Sequence, residues 1–126
     1  KIVCIIKKKA KEMLAKKNRL RKKKEFNFIY KKGEVYYSKF LALYKASTKL
    51  KDKKIGFSVS NKVGNSVVRH KVKRVLSEVV RKHINILPLN NYIFVVKQGS
   101  ENLSYQEFED NFFYLLKKAN ILAENI

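Results

Sequence analysis

A dense run of basic residues lies in the middle of the 126-residue chain. Residues 61–74 read NKVGNSVVRHKVKR, and Glu78 is the one acidic residue between positions 61 and 82. Ordinary surface helices mix the two signs of charge, so an almost purely cationic segment indicates contact with a polyanion such as the phosphate backbone of a nucleic acid. A solvated helix face is the alternative interpretation, because many charge runs are no more than that.

Residues 65–84 carry the strongest helical pattern. One apolar stripe runs along this helix, formed by Val68, Val72, Val75, Leu76 and Val79. At 100° per residue, Arg69 and Lys73 fall beside the stripe, and His70 and Arg74 fall on the far side of the helix. Arg69 and Lys73 are neighbours at i and i+4, so a phosphate between them would relieve their repulsion. The backbone N–H groups at the start of the helix can also take a phosphate.

Aromatic residues form a second group in the first half of the chain. They are Phe26 and Tyr30 on a predicted helix and Tyr36, Tyr37 and Tyr44 on a predicted strand, interleaved with Lys31, Lys32, Lys39 and Lys45. Aromatic rings beside cations make a platform on which unpaired bases stack, at about 1–3 kcal/mol per base. The alternative for each ring is a place in the hydrophobic core. Tyr30 and Tyr44 can be half exposed, because each carries a hydroxyl group.

The sequence shows no pattern for catalysis by the protein itself. His70 and His83 are thirteen residues apart, with no Cys, Asp or Glu at ligand spacing, so no protein metal site is predicted. The basic region has no paired carboxylates for acid–base chemistry, and no glycine-rich nucleotide loop is present. We therefore predict no catalytic residue.

The overall charge is +20, and it is unevenly distributed. Residues 1–82 have a net charge of +22 and residues 83–126 a net charge of −2. A genome biased toward lysine is the alternative to a polyanionic partner, but such a bias would spread the excess along the chain. The single cysteine, Cys4, favours a reducing compartment, and its short apolar run is no membrane span, so we expect a cytoplasmic protein with no membrane contact.

The length fits one domain, which we place over residues 14–126. Residues 1–13 are interpreted as a basic N-terminal tail, because the chain begins with Lys1 and Met13 could be the natural start. The basic block at residues 16–24 is expected to be solvated and mobile unless a partner neutralises it.

The predicted elements follow the order α-β-β-α-β-α, an α+β fold with helices packed on a sheet. They are a short helix over residues 26–32, strands over residues 36–46 and 55–60, the helix over residues 65–84, a strand over residues 92–97, and a closing helix after the capping box at residues 104–107. Gly33 suits the C′ position of the first helix, and a hairpin is the economical connection between the first two strands. Phe108, Phe112, Leu115, Ala119 and Leu122 form the apolar stripe of the closing helix.

These residues resemble the bacterial ribonuclease P protein family. In that family a strand ending in Ser-Val-Ser leads into Lys-Lys-Ile/Val-Gly-Asn-Ala-Val and an Arg-Asn-Arg-x-Lys-Arg helix, and residues 58–74 here read SVSNKVGNSVVRHKVKR. Similar matches occur at residues 17–20, 26–33, 43–44, 103–107 and 116–119. The resemblance covers about residues 14–122.

The resemblance implies a protein subunit of ribonuclease P, which assists the removal of the 5′ leader from precursor tRNA. Catalysis would reside in the RNA subunit with magnesium, which that RNA mainly binds, and the protein alone would be inactive. The implied partners are ribonuclease P RNA and precursor tRNA, with no obligate protein partner. The implied fold is an α/β sandwich like a domain of a small-subunit ribosomal protein, with a left-handed βαβ crossover that is rare among such connections.

The resemblance also assigns residues to two sites. The RNA subunit would be bound by Lys62, Asn65, Arg69, His70, Lys71, Lys73 and Arg74, and the single-stranded leader would lie in a cleft with Phe26, Tyr30 and Tyr44. His70 stands where the family usually has Asn, Lys71 where it has Arg, and Ser77 at a position that is commonly Arg. Lys71 keeps the charge without the planar guanidinium fork. A ribosomal-type structural RNA-binding protein and a basic DNA-binding module remain as alternatives.

Overall fold

The computed structural model describes residues 14–48 and 51–119. In this part of the chain we number three helices and four strands: α1 (Lys23–Lys32), β1 (Glu34–Tyr37), β2 (Leu41–Ser47), β3 (Lys54–Val59), α2 (Ser66–Lys82), β4 (Asn90–Val96) and α3 (Tyr105–Lys118). Short 3-10 turns lie at Lys16–Asn18, Asn61–Val63, Ile84–Ile86 and Ser100–Asn102. The mixed α+β class is confirmed. The predicted tail at residues 1–13 and the stripe residue Leu122 lie outside the described residues.

The four strands form one sheet in the order β1-β2-β4-β3. Strand β2 is antiparallel to both β1 and β4, whereas β3 runs parallel to β4. The parallel pair is joined through α2, so the βαβ crossover implied by the family resemblance is present as β3–α2–β4. Its left hand stays a prediction.

The segment predicted as one strand over residues 36–46 is two strands joined by a tight turn. The backbone N–H of Ser38 donates to the carbonyl oxygen of Leu41 at 2.8 Å, and the Ser38 hydroxyl accepts from the Leu41 N–H at 3.1 Å. A serine hydroxyl competes for backbone hydrogen bonds in this way, and the surrounding aromatic residues masked that turn signal.

The predicted hairpin between the first two strands is wrong, because β4 lies between β2 and β3. The residues that β3 places on its apolar face pair with Tyr92, Phe94 and Val96 of β4. This pairing joins segments more than 35 residues apart. Turn residues between neighbouring segments therefore predict that β3 pairs with β2, and they carry no information about the true partner β4.

Helices α2 and α3 cover one face of the sheet and enclose the main core. Val72, Leu76, Val79, Phe108 and Phe112 are buried there against the apolar faces of β2, β3 and β4. Val68 and Val75 pack partly buried against the same core, which confirms the apolar stripe of α2. Ser104 and Glu107 form the predicted capping box at the start of α3. The outer side of α2 is thereby left to the solvent.

Helix α1 and the segment before it pack on the other face of the sheet. Leu20 and Ile29 are buried against Ala46 and Ile93, and Arg19 forms a parallel bridge with Ile55. The N–H of Leu20 donates to the carbonyl oxygen of Ile55 at 2.9 Å. The expectation of a solvated, mobile block is therefore wrong for residues 18–20, which are fixed to strand β3.

Gly33 follows α1, but not in the left-handed conformation expected of a C′ glycine. Its φ of −78° and ψ of 161° are extended. A Cβ atom at this position would lie 2.6 Å from the carbonyl oxygen of Ile29 and 2.9 Å from that of Lys45. Close approach of two backbone segments explains the glycine.

No helix in the described residues is long and apolar enough to cross a membrane.

Candidate nucleic-acid interface

The outer side of α2 and the turn before it form a surface that we call the cationic surface. It consists of the seven residues predicted to bind the RNA subunit: Lys62, Asn65, Arg69, His70, Lys71, Lys73 and Arg74. Arg69 and Arg74 are partly buried, and the other five residues are exposed. The structure therefore places all seven where a large ligand could reach them.

Side-chain hydrogen bonds fix the start of α2. The Asn65 side chain accepts from the N–H of Val68 at 3.0 Å, the bond of an N-cap residue. Arg69 donates from Nε to the carbonyl oxygen of Gly64 at 3.2 Å and from Nη1 to Oδ1 of Asn61 at 2.8 Å. These bonds use two of the five N–H donors of the guanidinium and hold its plane against the turn. Arg69 is thus a pre-oriented cation.

Three of the predicted residues line one shallow depression. Arg69, His70 and Lys73 lie around a volume of about 280 Å³ at the edge of the sheet, with Phe57 and Val59 of β3 as its apolar side. Lys71 and Arg74 do not line this depression. The structure thus brings Arg69, His70 and Lys73 together and leaves Lys62, Lys71 and Arg74 as separate contacts.

The ion pairs of the described residues lie away from the cationic surface. The Lys45 ammonium lies 3.8 Å from the Glu34 carboxylate. The Glu109 carboxylate lies 3.8 Å from the Lys82 ammonium and 2.7 Å from Nε2 of His83. The cationic surface therefore carries positive charge that these internal carboxylates do not neutralise. Such a surface raises the local concentration of polyanions and attracts them at a distance.

The three residues predicted for the leader cleft do come together, on the face of the sheet that α1 covers. We call Phe26, Tyr30 and Tyr44 the aromatic cleft. The ring centroids of Phe26 and Tyr30 are 6.3 Å apart, and those of Tyr30 and Tyr44 are 4.9 Å apart in an edge-on arrangement. Phe26 and Tyr44 are partly buried, whereas Tyr30 is 37% exposed. Each ring thus serves packing and also leaves surface open to a ligand.

Tyr44 stays protonated at neutral pH. Burial raises the pKa of Tyr44, and the neighbouring Tyr37 and Tyr30 hydroxyl groups raise it further. A neutral phenol keeps its O–H as a donor and carries no charge that would repel a phosphate.

Tyr36 and Lys45, which the sequence grouped with the cleft residues, lie on the opposite face of the sheet. Tyr36 is paired with Leu43 and packs against the main core. The Lys45 ammonium lies 6.0 Å from the Tyr36 ring centroid. Side chains of successive strand residues point to opposite faces, so an interleaved run in sequence separates into two groups in space.

A cavity of about 390 Å³ connects the aromatic cleft to the cationic surface. Phe26 and Lys73, one from each surface, both line it, together with Arg19 and Arg21. The two arginines are absent from the predicted site, although their position in the basic block before α1 was a signal for them. The bridge between Arg19 and β3 is what carries them to this position.

Gly56 also supports the site, and the sequence analysis missed it. A Cβ atom on Gly56 would lie 2.4 Å from Cζ of Phe26 and 3.0 Å from Cδ2 of Leu20. A glycine inside a strand often marks such a close approach.

We expect Gly56→Ala to displace the Phe26 ring and to lower the free energy of unfolding by about 1–3 kcal/mol, the usual cost of overpacking. Urea denaturation of the purified protein measures this. Ser58→Ala is the matched control, because Ser58 lies two residues along the same face of β3 and should change stability by less than about 0.5 kcal/mol. Equal stability of Gly56→Ala and wild type would contradict the assigned packing.

Known proteins resemble this chain in sequence. The sequence model of the Ribonuclease P family matches residues 14–120. The ribonuclease P protein component of Clostridium botulinum strain 657 is 39% identical over 108 residues, covering 84% of this chain and 97% of the relative. That of Clostridium novyi is 39% identical over 111 residues, covering 86% and 98%.

Solved structures show the same fold. The RNase P protein of Staphylococcus aureus superposes with a TM-score of 0.78 at 27% identity, covering 84% of this chain and 98% of that one. The RNase P protein of Thermotoga maritima, in complex with 1-(4-fluorophenyl)-2-thiourea, gives a TM-score of 0.73 at 21% identity, covering 79% and 98%. Fold and surface together define a small, strongly basic α+β protein with a cationic crossover helix. The chain belongs to the bacterial ribonuclease P protein family.

Proposed function

We propose that this protein is the subunit of ribonuclease P that binds the catalytic RNA and the single-stranded 5′ leader of precursor tRNA. In this role it assists the magnesium-dependent endonucleolytic cut that produces the mature 5′ end. The observation that carries the proposal is the presence of two distinct surfaces, one cationic and one aromatic, joined by a cavity that Phe26 and Lys73 share.

The cationic surface fits the RNA subunit. Lys62, Lys71 and Lys73 are exposed point charges, and Arg69 is already oriented by the turn. Phosphate contacts position a nucleic acid without reading its bases, as is needed for a folded RNA of fixed shape. Lys71 contributes simple charge neutralisation, since a lysine lacks the bidentate fork of the usual arginine.

The aromatic cleft fits the leader. Single-stranded RNA offers unstacked bases, and these stack on exposed aromatic rings whatever their sequence. Precursor tRNAs with different leaders could therefore share one cleft. A ribosomal-type structural RNA-binding protein, the alternative, would leave this partly open set of rings without a role.

We assign the chemistry and the magnesium to the RNA subunit. Among the described residues, no group of three or more His, Cys, Asp or Glu side chains could hold a metal ion. A cytoplasmic location follows from this role, because tRNA precursors are processed there.

Reconstitution tests this proposal. Precursor tRNA is incubated at low magnesium with ribonuclease P RNA alone, with rigorously RNA-free protein, and with both. We expect efficient cleavage at the mature 5′ end from the combination and no product from the protein alone. Magnesium-dependent cleavage by the RNA-free protein would overturn the assignment of catalysis to RNA. Unchanged cleavage on adding protein would favour the ribosomal-type alternative.

A further inference from the structure

An open groove lies at the edge of the sheet, outside both surfaces described above. It has a volume of about 470 Å³ and runs between the β1–β2 turn and helix α3. Its lining residues are Tyr37, Ser38, Lys39, Asp110, Asn111 and Tyr114. Strand β1 is an edge strand, so one side of the groove is formed by the edge of the sheet.

Two half-exposed tyrosines form the walls of this groove. Tyr37 of β1 and Tyr114 of α3 are each 52% exposed. This is a large exposed fraction for aromatic side chains. Two exposed rings that line one groove form a contiguous apolar area, and such an area marks a contact site where a single exposed ring does not. Both rings are therefore available to a planar ligand.

Each of these rings carries a lysine ammonium. The Nζ atom of Lys97 lies 5.3 Å from the Tyr37 ring centroid, and that of Lys118 lies 5.3 Å from the Tyr114 ring centroid. The two lysines are held in place, because Lys97 donates to the carbonyl oxygen of Ser38 at 2.8 Å and Lys118 to that of Tyr37 at 2.9 Å.

The charge balance of the groove is positive. Exposed Lys39 adds a third cation, whereas Asp110 is the one carboxylate in the lining, and it accepts a hydrogen bond from Gln106 at 2.9 Å. A ligand with a planar ring and a negative charge matches this arrangement. An unpaired nucleotide has both, since its base can stack on a tyrosine while its phosphate meets a lysine.

The groove is continuous with the aromatic cleft through Tyr37. In the sheet register Tyr44 is opposite Val35, so Tyr37 lies diagonally across from Tyr44 on the same face. The Tyr37 hydroxyl also lies close enough to Tyr44 to raise the pKa of Tyr44. A strand of RNA that stacks on Tyr44 would thus meet Tyr37 next.

We propose that the groove formed by Tyr37 and Tyr114 binds one further unpaired nucleotide of the precursor tRNA leader, beyond those in the aromatic cleft. Tyr37 supplies the ring nearer the cleft and Tyr114 the ring on the far wall. Lys39, Lys97 and Lys118 neutralise the adjoining phosphates. This inference rests on the proposed leader-binding function and extends it to a longer segment of the leader.

The test uses holoenzyme reconstituted with ribonuclease P RNA and carrying Tyr37→Ala or Tyr114→Ala. Affinity is measured for a series of precursor tRNAs whose leaders are shortened one nucleotide at a time, and for mature tRNA. We expect each variant to bind the longest leaders about fivefold more weakly or worse, from the lower end of the range for base stacking. Short leaders and mature tRNA should bind as they do to wild type.

Two variants separate stacking from other effects. Tyr37→Phe keeps the ring and loses only the hydroxyl group, so it should bind long leaders nearly as well as wild type. Phe28→Ala is the matched control, because Phe28 is a 56% exposed aromatic residue of α1 that lies outside the groove. Its replacement should leave every affinity in the series unchanged.

Tyr44→Ala, measured in parallel, distinguishes this inference from the proposed function. If Tyr44→Ala weakens leader binding and the groove variants do not, the groove inference is wrong and the leader-binding function stands. If none of these variants affects any leader, the leader-binding function itself is wrong. If the groove variants weaken assembly with the RNA subunit and not leader binding, the groove contacts that RNA and our assignment to the leader is overturned.

Discussion

Replacement of Arg69, Lys73 and Arg74 by Ala is expected to weaken binding of the ribonuclease P RNA by about 100-fold at physiological salt. Each phosphate contact contributes a slope of about −0.9 in a plot of log affinity against log salt. Three contacts therefore make the affinity roughly two orders of magnitude higher at 0.15 M salt than at 1 M salt. The slope itself should become shallower by about three units. Filter binding across a salt series measures both quantities.

The matched control removes the same charge elsewhere. Lys51, Lys82 and Lys117 are exposed lysines outside the cationic surface, and their joint replacement by Ala also lowers the net charge by three. This control should change the salt slope by less than one unit. The hydrogen bonds of Arg69 to Asn61 and Gly64 make a folding check necessary, and circular dichroism provides it. A folded triple variant with an unchanged slope would contradict the assigned surface.

Loss of the Tyr44 ring is expected to weaken binding of precursor tRNA to the holoenzyme by roughly five- to 150-fold, since stacking is worth about 1–3 kcal/mol per base. Mature tRNA has no leader to stack, so its affinity should barely change. Tyr44 is a cleaner test than Phe26, because Phe26 lies directly over Gly56 and its removal would also open the packing beneath it. The measurement is the ratio of precursor to mature affinity for Tyr44→Ala holoenzyme.

Tyr36→Ala is the matched control for this experiment. Tyr36 is also a partly buried tyrosine of the β1–β2 hairpin, but it lies on the opposite face of the sheet, against the main core. Its replacement should reduce stability and leave the affinity ratio at the wild-type value. Tyr44→Phe should also keep most of the ratio, because it retains the ring. A normal ratio for folded Tyr44→Ala would remove Tyr44 from the leader path.

Features with a local cause were predictable from the sequence. Helix α2 has a regular apolar stripe from Val68 to Val79, so both its position and its cationic outer side follow from helical geometry. The capping box at Ser104 likewise marked the start of α3. The grouping of Phe26 with Tyr30 needed only the i, i+4 spacing of one helix.

Features that depend on distant contacts were not predictable in this way. The pairing of β3 with β4 is fixed by burial of both strands under α2 and α3, which no short window of sequence reports. Tyr36 and Tyr44 lie on opposite faces of the sheet for a similar reason. The strand break at Ser38 and the sheet register decide which face each ring occupies. Arg19 and Arg21 reach the site only because residues 18–20 pack along β3.

The glycines show a signal that sequence reasoning could have used. Gly56 interrupts an otherwise apolar alternation, and a glycine in a strand indicates that something lies close to the backbone. In this protein that neighbour is the Phe26 ring, part of the aromatic cleft. Gly56 thus indicates the position of the aromatic cleft, because the Phe26 ring packs against its backbone.

The central claim is that the protein adds recognition of the leader to the RNA subunit, and one measurement tests it most directly. The affinities of precursor and mature tRNA are determined for ribonuclease P RNA with and without the protein, at equal magnesium concentration. We expect the ratio of precursor to mature affinity to rise when the protein is added, and to fall back as the leader is shortened. A ratio that stays the same with and without the protein would contradict the account.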